Sequence, residues 1–344
     1  MYSYSSARIK AMESMLIDGP TMQHIINAQD IPSALSILFQ TGFKDYLSKY
    51  GGMQIKAKLI DFALSKNLAE HVNKLVSIVP TTQRKSIRAI IGKWDIYNIR
   101  IAIEAKDRGQ SYEQIAMYVV DTTMYNETVI REAMRESTVE AMLSRLAINS
   151  PYSQMIKDAS SAYSKSRNAL DAISALDIGY YDSMGRVLHE ISYEHYHSAL
   201  MIKHEIDLKN VITLIRSKRM GLRFAQIENY LINNGTLDKR ALEQLYSQSS
   251  SLEEMVQQVK AFDLKEALGV YNETGQLLSF EIAMHNHLLT HGIRLLKPAI
   301  LSFGTIMAYI YLKELEVYTI RISINSKIYG LSAQEVSRLI TWQR

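Results

Sequence analysis

Histidines are the residues of this chain whose type and grouping could support metal chemistry. The sequence has nine of them, and imidazole is the commonest protein ligand of transition metals. Glu194-x-x-His197 has the spacing that holds iron in helical bundles, but such sites need two pairs and the sequence contains no second one. His287 and His291 share a helix face, which is a weak metal signal by itself. We therefore predict no metal site, and a helical-bundle metalloenzyme built on Glu194 and His197 is the remotest alternative.

Motifs for the other common chemistries are missing from the sequence. The one Gly-Lys pair, Gly92-Lys93, is followed by Trp94, so it does not form a phosphate-binding loop. No Gly-x-Ser-x-Gly elbow occurs, and the absence of cysteine excludes a thiol nucleophile, a thiolate zinc site and a disulfide. A net charge of +4 with interspersed signs is too small to indicate nucleic-acid binding. The sequence therefore predicts no catalytic, cofactor-binding or metal-binding residues.

The elements that position the polar residues are indicated by a helical motif that occurs three times. Its copies begin at Asp95, Asp207 and Glu316, about a third of the chain apart. In each copy a lysine stands at position +11 from the acid, a glycine at +14 and an aliphatic side chain at +20. The three sets are Lys106, Gly109 and Ile115; Lys218, Gly221 and Ile227; and Lys327, Gly330 and Val336. Shared spacing at so many offsets predicts an internal triplication.

Helix geometry explains the spacing of the motif. Aliphatic residues stand 1, 4 and 8 positions after each acid, on one face of an α-helix. The lysine complements the negative end of that helix, and the glycine supplies a residue with positive φ. A second helix then begins with a capping box at Ser111 and at Ser332, whereas copy two has Arg223 at this position. Each copy is predicted to form a helix–glycine–helix hairpin with an aliphatic inner face.

Composition and repeat spacing predict an all-α protein with three similar helical units. The 344 residues include 5 prolines and 15 glycines, and 47% are hydrophobic, which permits a sizeable core. The predicted repeat units span residues 1–120, 121–235 and 236–344. The N-terminus has no apolar signal-peptide core. The longest apolar run, 299–312, is shorter than the ~20 residues needed to cross a bilayer, so we expect a buried helix there and at most a peripheral membrane role.

Several fragments in a fixed order give the whole chain a family resemblance. The fragments are Tyr4-x3-Arg8-Ile9-x-Ala11-Met12; Trp94-Asp95-Ile-Tyr-Asn98-Ile-Arg100; Glu205-x-Asp207-x2-Asn210 through Arg216 and Gly221; and Ala308-Tyr309-Ile310-x2-Lys313-Glu314-x-Glu316, leading to Arg321. Together they resemble the C subunit of the archaeal A-type and bacterial V-type rotary ATPases, which is similar to the d subunit of eukaryotic V-ATPases. Thr319 departs from the pattern, because copies one and two have an asparagine at that position.

The resemblance implies a fold, a role and partners. Members of the family are all-helical, with three similar subdomains that form a funnel around a pseudo-threefold axis. The funnel sits on the cytoplasmic face of the membrane proteolipid ring, and its wide opening receives the central stalk, which the D and F subunits form. The family is non-catalytic and binds no nucleotide or nucleic acid. It transmits torque between stalk and ring during ion transport coupled to ATP synthesis or hydrolysis.

Ten polar residues are candidates for the partner interfaces: Asp95, Asn98, Arg100, Asp207, Asn210, Arg216, Lys313, Glu314, Glu316 and Arg321. In one interpretation they satisfy backbone N–H groups and pair with one another inside the fold. In the other they line the funnel and contact the stalk, so that charge reversal at Glu314 and Glu316 weakens stalk binding without unfolding the protein. The basic stretch 216–223 is either a solvated helix end or a contact for acidic headgroups or an acidic partner.

The same residues are compatible with an alternative function. A soluble helical adapter without a rotary role would share only the triplicated helical architecture, and it would bind neither a stalk complex nor a proteolipid ring.

Overall fold

The computed structural model describes residues 3–49, 56–122, 124–192, 195–259 and 264–342. Over these residues the chain is helical and has no β-strand, so the all-α prediction is confirmed. The helices are α1 (Ser3–Ser14), α2 (Gly19–Asn27), α3 (Ile31–Leu38), α4 (Lys44–Lys49), α5 (Lys56–Ile78), α6 (Arg84–Ile91), α7 (Lys93–Asp107), α8 (Tyr112–Ile115), α9 (Glu127–Ala133), α10 (Val139–Leu146), α11 (Ser153–Ser166), α12 (Ala169–Ser192), α13 (Tyr196–Arg219), α14 (Phe224–Ile227), α15 (Lys239–Gln248), α16 (Leu252–Gln258), α17 (Lys265–Thr274), α18 (Leu277–Leu296), α19 (Phe303–Ile328) and α20 (Ala333–Leu339). Short 3₁₀ turns lie at Thr81–Gln83, Ala116–Tyr118 and Glu228–Tyr230.

Local signals in the sequence fix where many helices begin and end. Gly109, Gly221 and Gly330 have φ of +67°, +69° and +71°, as the motif predicts for the residue after a helix. The capping box predicted at Ser332 is complete, and at the predicted box of Ser111 the Gln114 side chain accepts a hydrogen bond from the Ser111 N–H at 2.8 Å. Copy two keeps half of this device, because the side chain of Gln226 accepts a hydrogen bond from the Arg223 backbone N–H at 2.8 Å. The N-caps Asp18, Asp30, Asn126, Thr138, Asp238, Ser251 and Ser302 each accept a bond from an N–H of the first helical turn.

The chain forms two compact units. The middle unit comprises residues 46–187 and contains copy one, and the end unit combines residues 1–45 with 188–344 and contains copies two and three. In the middle unit, α5 packs against the 3₁₀ turn after α8, and α10 packs on α9 and α11. The Ser65 hydroxyl donates to the Met117 carbonyl at 2.9 Å and so fastens α5 to that turn.

The end unit is built around α19, which is buried on nearly every side. Helices α1, α2, α3, α13, α18 and α20 all contact it. A helix that is apolar around its whole circumference is typical of the centre of a core. Its Tyr311 hydroxyl donates to the Glu205 carboxylate of α13 at 2.7 Å, which gives the buried phenol a polar partner.

The buried helix predicted over residues 299–312 is correct only from Phe303 onward. Residues 299–302 form the connection from α18 to α19, and the side chains of Ile300 and Leu301 are 75% and 52% exposed. The Ser302 side chain caps α19 by accepting from the Gly304 N–H, so the helix begins after it. No helix in the described part of the chain combines the length and apolar character needed to cross a membrane.

Candidate functional site

Each copy of the motif places an acid, a residue three positions later and a lysine beside the buried face of a long helix. These helices are α7, α13 and α19. The predicted aliphatic inner face is confirmed, because all nine of its residues are buried: Ile96, Ile99, Ile103, Leu208, Val211, Ile215, Val317, Ile320 and Ile324. A polar group that is buried with such a face needs a hydrogen-bonding partner. We call the contacts made by these polar residues the polar tie of each copy.

The acids of copies one and two bind a segment that follows later in the chain. Asp95 accepts a hydrogen bond from the Thr122 hydroxyl at 2.5 Å. Asp207 accepts from the hydroxyl and the N–H of Thr236 and from the N–H of Leu237. Burial raises the pKa of Asp95 and of Asp207, and the hydrogen bonds from the two threonines oppose that rise. These carboxylates join segments within the fold and are screened from solvent.

The acid of copy three makes a different tie. Glu316 is 1% exposed and accepts from the Ile17 N–H at 2.7 Å. It also forms an ion pair with Lys313, whose ammonium lies 5.0 Å from the centre of the Phe43 ring. The side chain of Lys313 is only 4% exposed, so both members of the pair are desolvated. Such a pair is strongly destabilising to break, because the remaining charge stays buried.

Asparagines form two-way amide bridges in copies one and two. The Asn98 side-chain amide donates to the Val120 carbonyl, and its oxygen accepts from the Val120 N–H at 3.0 Å. Asn210 does the same with Ile232, at 2.8 Å in both directions. In each case the bridged residue lies 22 positions after the asparagine, so the bridge holds the segment after the hairpin against the motif helix.

In copy three an asparagine from another helix supplies the bridge. Thr319 occupies the position of the asparagine, and the residue 22 positions later is Thr341. Asn286 of α18 accepts from the Thr341 N–H at 2.9 Å and donates to its carbonyl at 3.4 Å. Copy three therefore keeps a two-way amide bridge, although Thr319 stands where the other copies have an asparagine. Sequence reasoning missed Asn286, and the only available signal was that Thr319 cannot make a two-way amide bridge.

The motif lysines reach the end of a different helix. Each ammonium donates to a carbonyl in or just after the last turn of a neighbouring helix, where the carbonyls lack helical partners and the helix end is negative. The carbonyls belong to Met134 after α9 for Lys106, Tyr246 of α15 for Lys218, and Ile26 of α2 for Lys327. Each motif lysine therefore connects two helices, in addition to the role predicted for it at the negative end of its own helix.

The remaining interface candidates are more accessible. Arg216 is exposed and forms a two-bond ion pair with Glu281, at 2.7 and 2.6 Å. Arg100 lies 3.3 Å from Asp177, and Glu314 and Arg321 are half-buried. Contact between these residues and a partner stays a prediction. Because Glu316 sits in a buried ion pair, reversing its charge is expected to destabilise the fold, so only Glu314 suits a binding test.

The histidine groups show no metal-binding arrangement in the described residues. Within that part of the chain, no three metal-ligating side chains are placed to hold an ion. Glu194 lies outside the described residues. The rings of His204 and His287 lie 6.0 and 6.2 Å from that of His291. Burial, with a smaller contribution from His291, lowers the pKa of His204 to about 4, so this imidazole is neutral in the folded protein at neutral pH.

Comparisons with known proteins point to one family. The profile described as ATP synthase (C/AC39) subunit matches residues 5–339. The C subunit of the A-type ATP synthase of Thermoplasma volcanium is 23% identical over 98% of both chains. That of Methanocaldococcus jannaschii is 24% identical over 98% of this chain and 86% of its own. The C subunit of the V-type ATP synthase of Deinococcus radiodurans is 22% identical over 98% of this chain and 90% of its own.

Proposed function

This chain belongs to the ATP synthase (C/AC39) subunit family, and from that membership we propose that it links the central stalk to the membrane proteolipid ring. The family is a structural component of the ATP synthase and not a catalytic one. The observation that carries the proposal is the profile match from residue 5 to residue 339, together with relatives that align along nearly their whole length. In this role the chain transmits torque between the stalk, formed by the D and F subunits, and the ring, during ion transport coupled to ATP synthesis or hydrolysis.

The proposed arrangement is a funnel of three similar helical units around a pseudo-threefold axis, on the cytoplasmic face of the membrane. The three polar ties support it, because each copy has an acid contact, a two-way amide bridge to the residue at the equivalent position, and a lysine contact with the end of a neighbouring helix. Only the asparagine of the bridge comes from a different place in copy three, where Asn286 supplies it. A body that transmits torque has to resist sliding between its helices. Buried two-way amide bridges and charged ties resist sliding, because a displaced polar group would remain buried without a partner.

Glu314→Lys is expected to weaken binding to a complex of the D and F subunits by about tenfold or more, as reversal of an interface charge typically does. Glu314 is chosen because it is the accessible acid of this part of α19: it is half-buried, whereas Glu316, two positions later, is buried. If it faces the stalk, a lysine at this position reverses the charge that the partner meets. The measurement is a titration of purified chain with the D–F complex, followed by size-exclusion chromatography. Glu104→Lys is the matched control, because Glu104 is also a half-buried glutamate on a motif helix but is not an interface candidate.

Three outcomes of this titration separate the proposals. A stoichiometric complex with the wild-type chain that is weakened only by Glu314→Lys supports both the stalk contact and its location. Equal weakening by Glu314→Lys and Glu104→Lys, or by neither, contradicts the assigned location. No complex at micromolar concentration, with a helical circular-dichroism spectrum and with the ring also present, contradicts the stalk-linking role and favours an adapter without a rotary role.

A further inference from the structure

In copies one and two the polar tie joins the motif helix to a helix that follows in the chain. The N-cap of that following helix stands at position +31 from the acid, at Asn126 in copy one and Asp238 in copy two. The motif lysine donates to the carbonyl at position +8 from the N-cap, that of Met134 or of Tyr246. The motif lysine therefore holds the following helix at its C-terminal end, eight positions after the N-cap in both copies.

In copy three the equivalent contacts come from a segment about 300 positions earlier. Ile17, directly before the N-cap Asp18, donates its N–H to Glu316. Leu237, directly before the N-cap of α15, makes the same bond to the acid of copy two. Lys327 donates to the Ile26 carbonyl at 3.0 Å, and Ile26 stands at position +8 from Asp18. The same spacing thus recurs where no local chain connection imposes it.

The second helix of each set agrees with this correspondence. A second N-cap stands 12 or 13 positions after the first in every case, at Thr138, Ser251 and Asp30. Helices α2 and α3 pack on each other, and both contact α19. Burial lowers the pKa of Lys327, and the carboxylate of Asp30, the N-cap of α3, opposes that effect.

We propose that the segment 16–38, which contains α2 and α3, completes the third repeat unit by docking on α19 and α20. The docking surface is the end of the third hairpin, and its occupant is this chain's own N-terminal segment. The inference rests on the three-unit organisation proposed above, but it does not depend on the rotary role. It assigns residues 16–38 to the third repeat unit and not to the first, which was predicted to span residues 1–120.

The tie of copy three joins distant parts of the chain, whereas those of copies one and two are local. Closing a loop of about 300 residues costs more conformational entropy than closing one of about 30. Two hydrogen bonds cross from the N-terminal segment to α19: the Ile17 N–H donates to Glu316, and the Lys327 ammonium donates to the Ile26 carbonyl. Lys313 lies three positions before Glu316 on the same helix, so their ion pair is a contact within α19.

Hydrogen–deuterium exchange on three matched variants of the full chain tests the proposal. Lys106→Met, Lys218→Met and Lys327→Met each remove the same ammonium-to-carbonyl bond. Each is expected to raise amide exchange by about tenfold or more in the helix that its lysine holds, because a hydrogen bond to a charged group is among the stronger ones in a protein. The expected helices are α9, α15 and α2, respectively.

The proposal is overturned if Lys327→Met leaves exchange in α2 unchanged while the other two variants loosen α9 and α15. If Lys327→Met does not fold, Asp18→Ala replaces it, with Asp238→Ala as its control, because both remove a helix N-cap. Asp18→Ala is expected to raise exchange in α2 and in the second half of the third hairpin, 329–342, and loosening confined to α2 contradicts the docking. The measurement needs no partner protein, so its failure is distinct from failure of the stalk-linking role.

Discussion

Lys313→Met is expected to lower the free energy of unfolding by about 3–5 kcal/mol, because it leaves the Glu316 carboxylate buried without its cation. Glu316 is 1% exposed, so its carboxylate is desolvated. The Ile17 N–H still donates to it, but one neutral donor does not offset the burial of a full charge. Urea-induced unfolding of the wild type and the variant measures the difference directly.

A double variant and a matched control identify the cause of that loss. Lys313→Met combined with Glu316→Gln is expected to recover most of the stability, because the amide is neutral and its oxygen still accepts from Ile17. Lys10→Met makes the same substitution in an exposed ion pair with Glu13 and is expected to cost under about 1 kcal/mol. Equal losses from Lys313→Met and Lys10→Met would show that the buried pair contributes no more than a surface pair.

His204→Gln is expected to remove about 3 kcal/mol of the stability that the wild type loses between pH 7 and pH 4. The pKa of His204 falls from its ordinary value of 6.5 to about 4 in the folded protein, chiefly because the ring is buried. A group whose pKa is lower in the folded than in the unfolded state stabilises the fold above the unfolded pKa. That contribution is lost as the pH falls from 6.5 to about 4, since the unfolded chain takes up the proton first.

The pH dependence is measured by urea-induced unfolding at several values between pH 7 and pH 4. His24→Gln is the control, because it makes the same substitution at a histidine that is exposed on α2. His291 retains its own contribution in the variant, since burial also lowers its pKa. Parallel stability curves for the wild type and His204→Gln would refute the assignment of the acid loss to His204.

The hairpins could be predicted because their signals are local. Apolar spacing, the glycines with positive φ and the capping boxes act within one or two helical turns, and each of these features is present in the structure. The buried helix predicted from the apolar run 299–312 was wrong only at its start. Ile300 and Leu301 lie in a connection, and the N-cap Ser302 stands before α19. Composition alone could not distinguish that connection from helix.

The partners of the polar residues could not be predicted, because they depend on contacts between distant segments. Spacing identifies Lys327 as the end of a helix, but not the Ile26 carbonyl, 301 positions away, to which it donates. Asn286 belongs to no repeated position, and only the structure shows that it replaces the missing asparagine of copy three. The family could be recognised from sequence because its fragments occur in a fixed order along the chain, which does not require knowledge of their contacts.

The measurement that tests the central claim most directly is whether this chain bridges its two proposed partners. Detergent-solubilised proteolipid ring is immobilised, and the complex of the D and F subunits is added with and without the purified chain. If the chain links stalk to ring, the D–F complex is retained on the ring only when the chain is present, in an amount equal to the bound chain. Retention of the D–F complex that is independent of the chain, or a ring-bound chain that retains none of it, would contradict the claim.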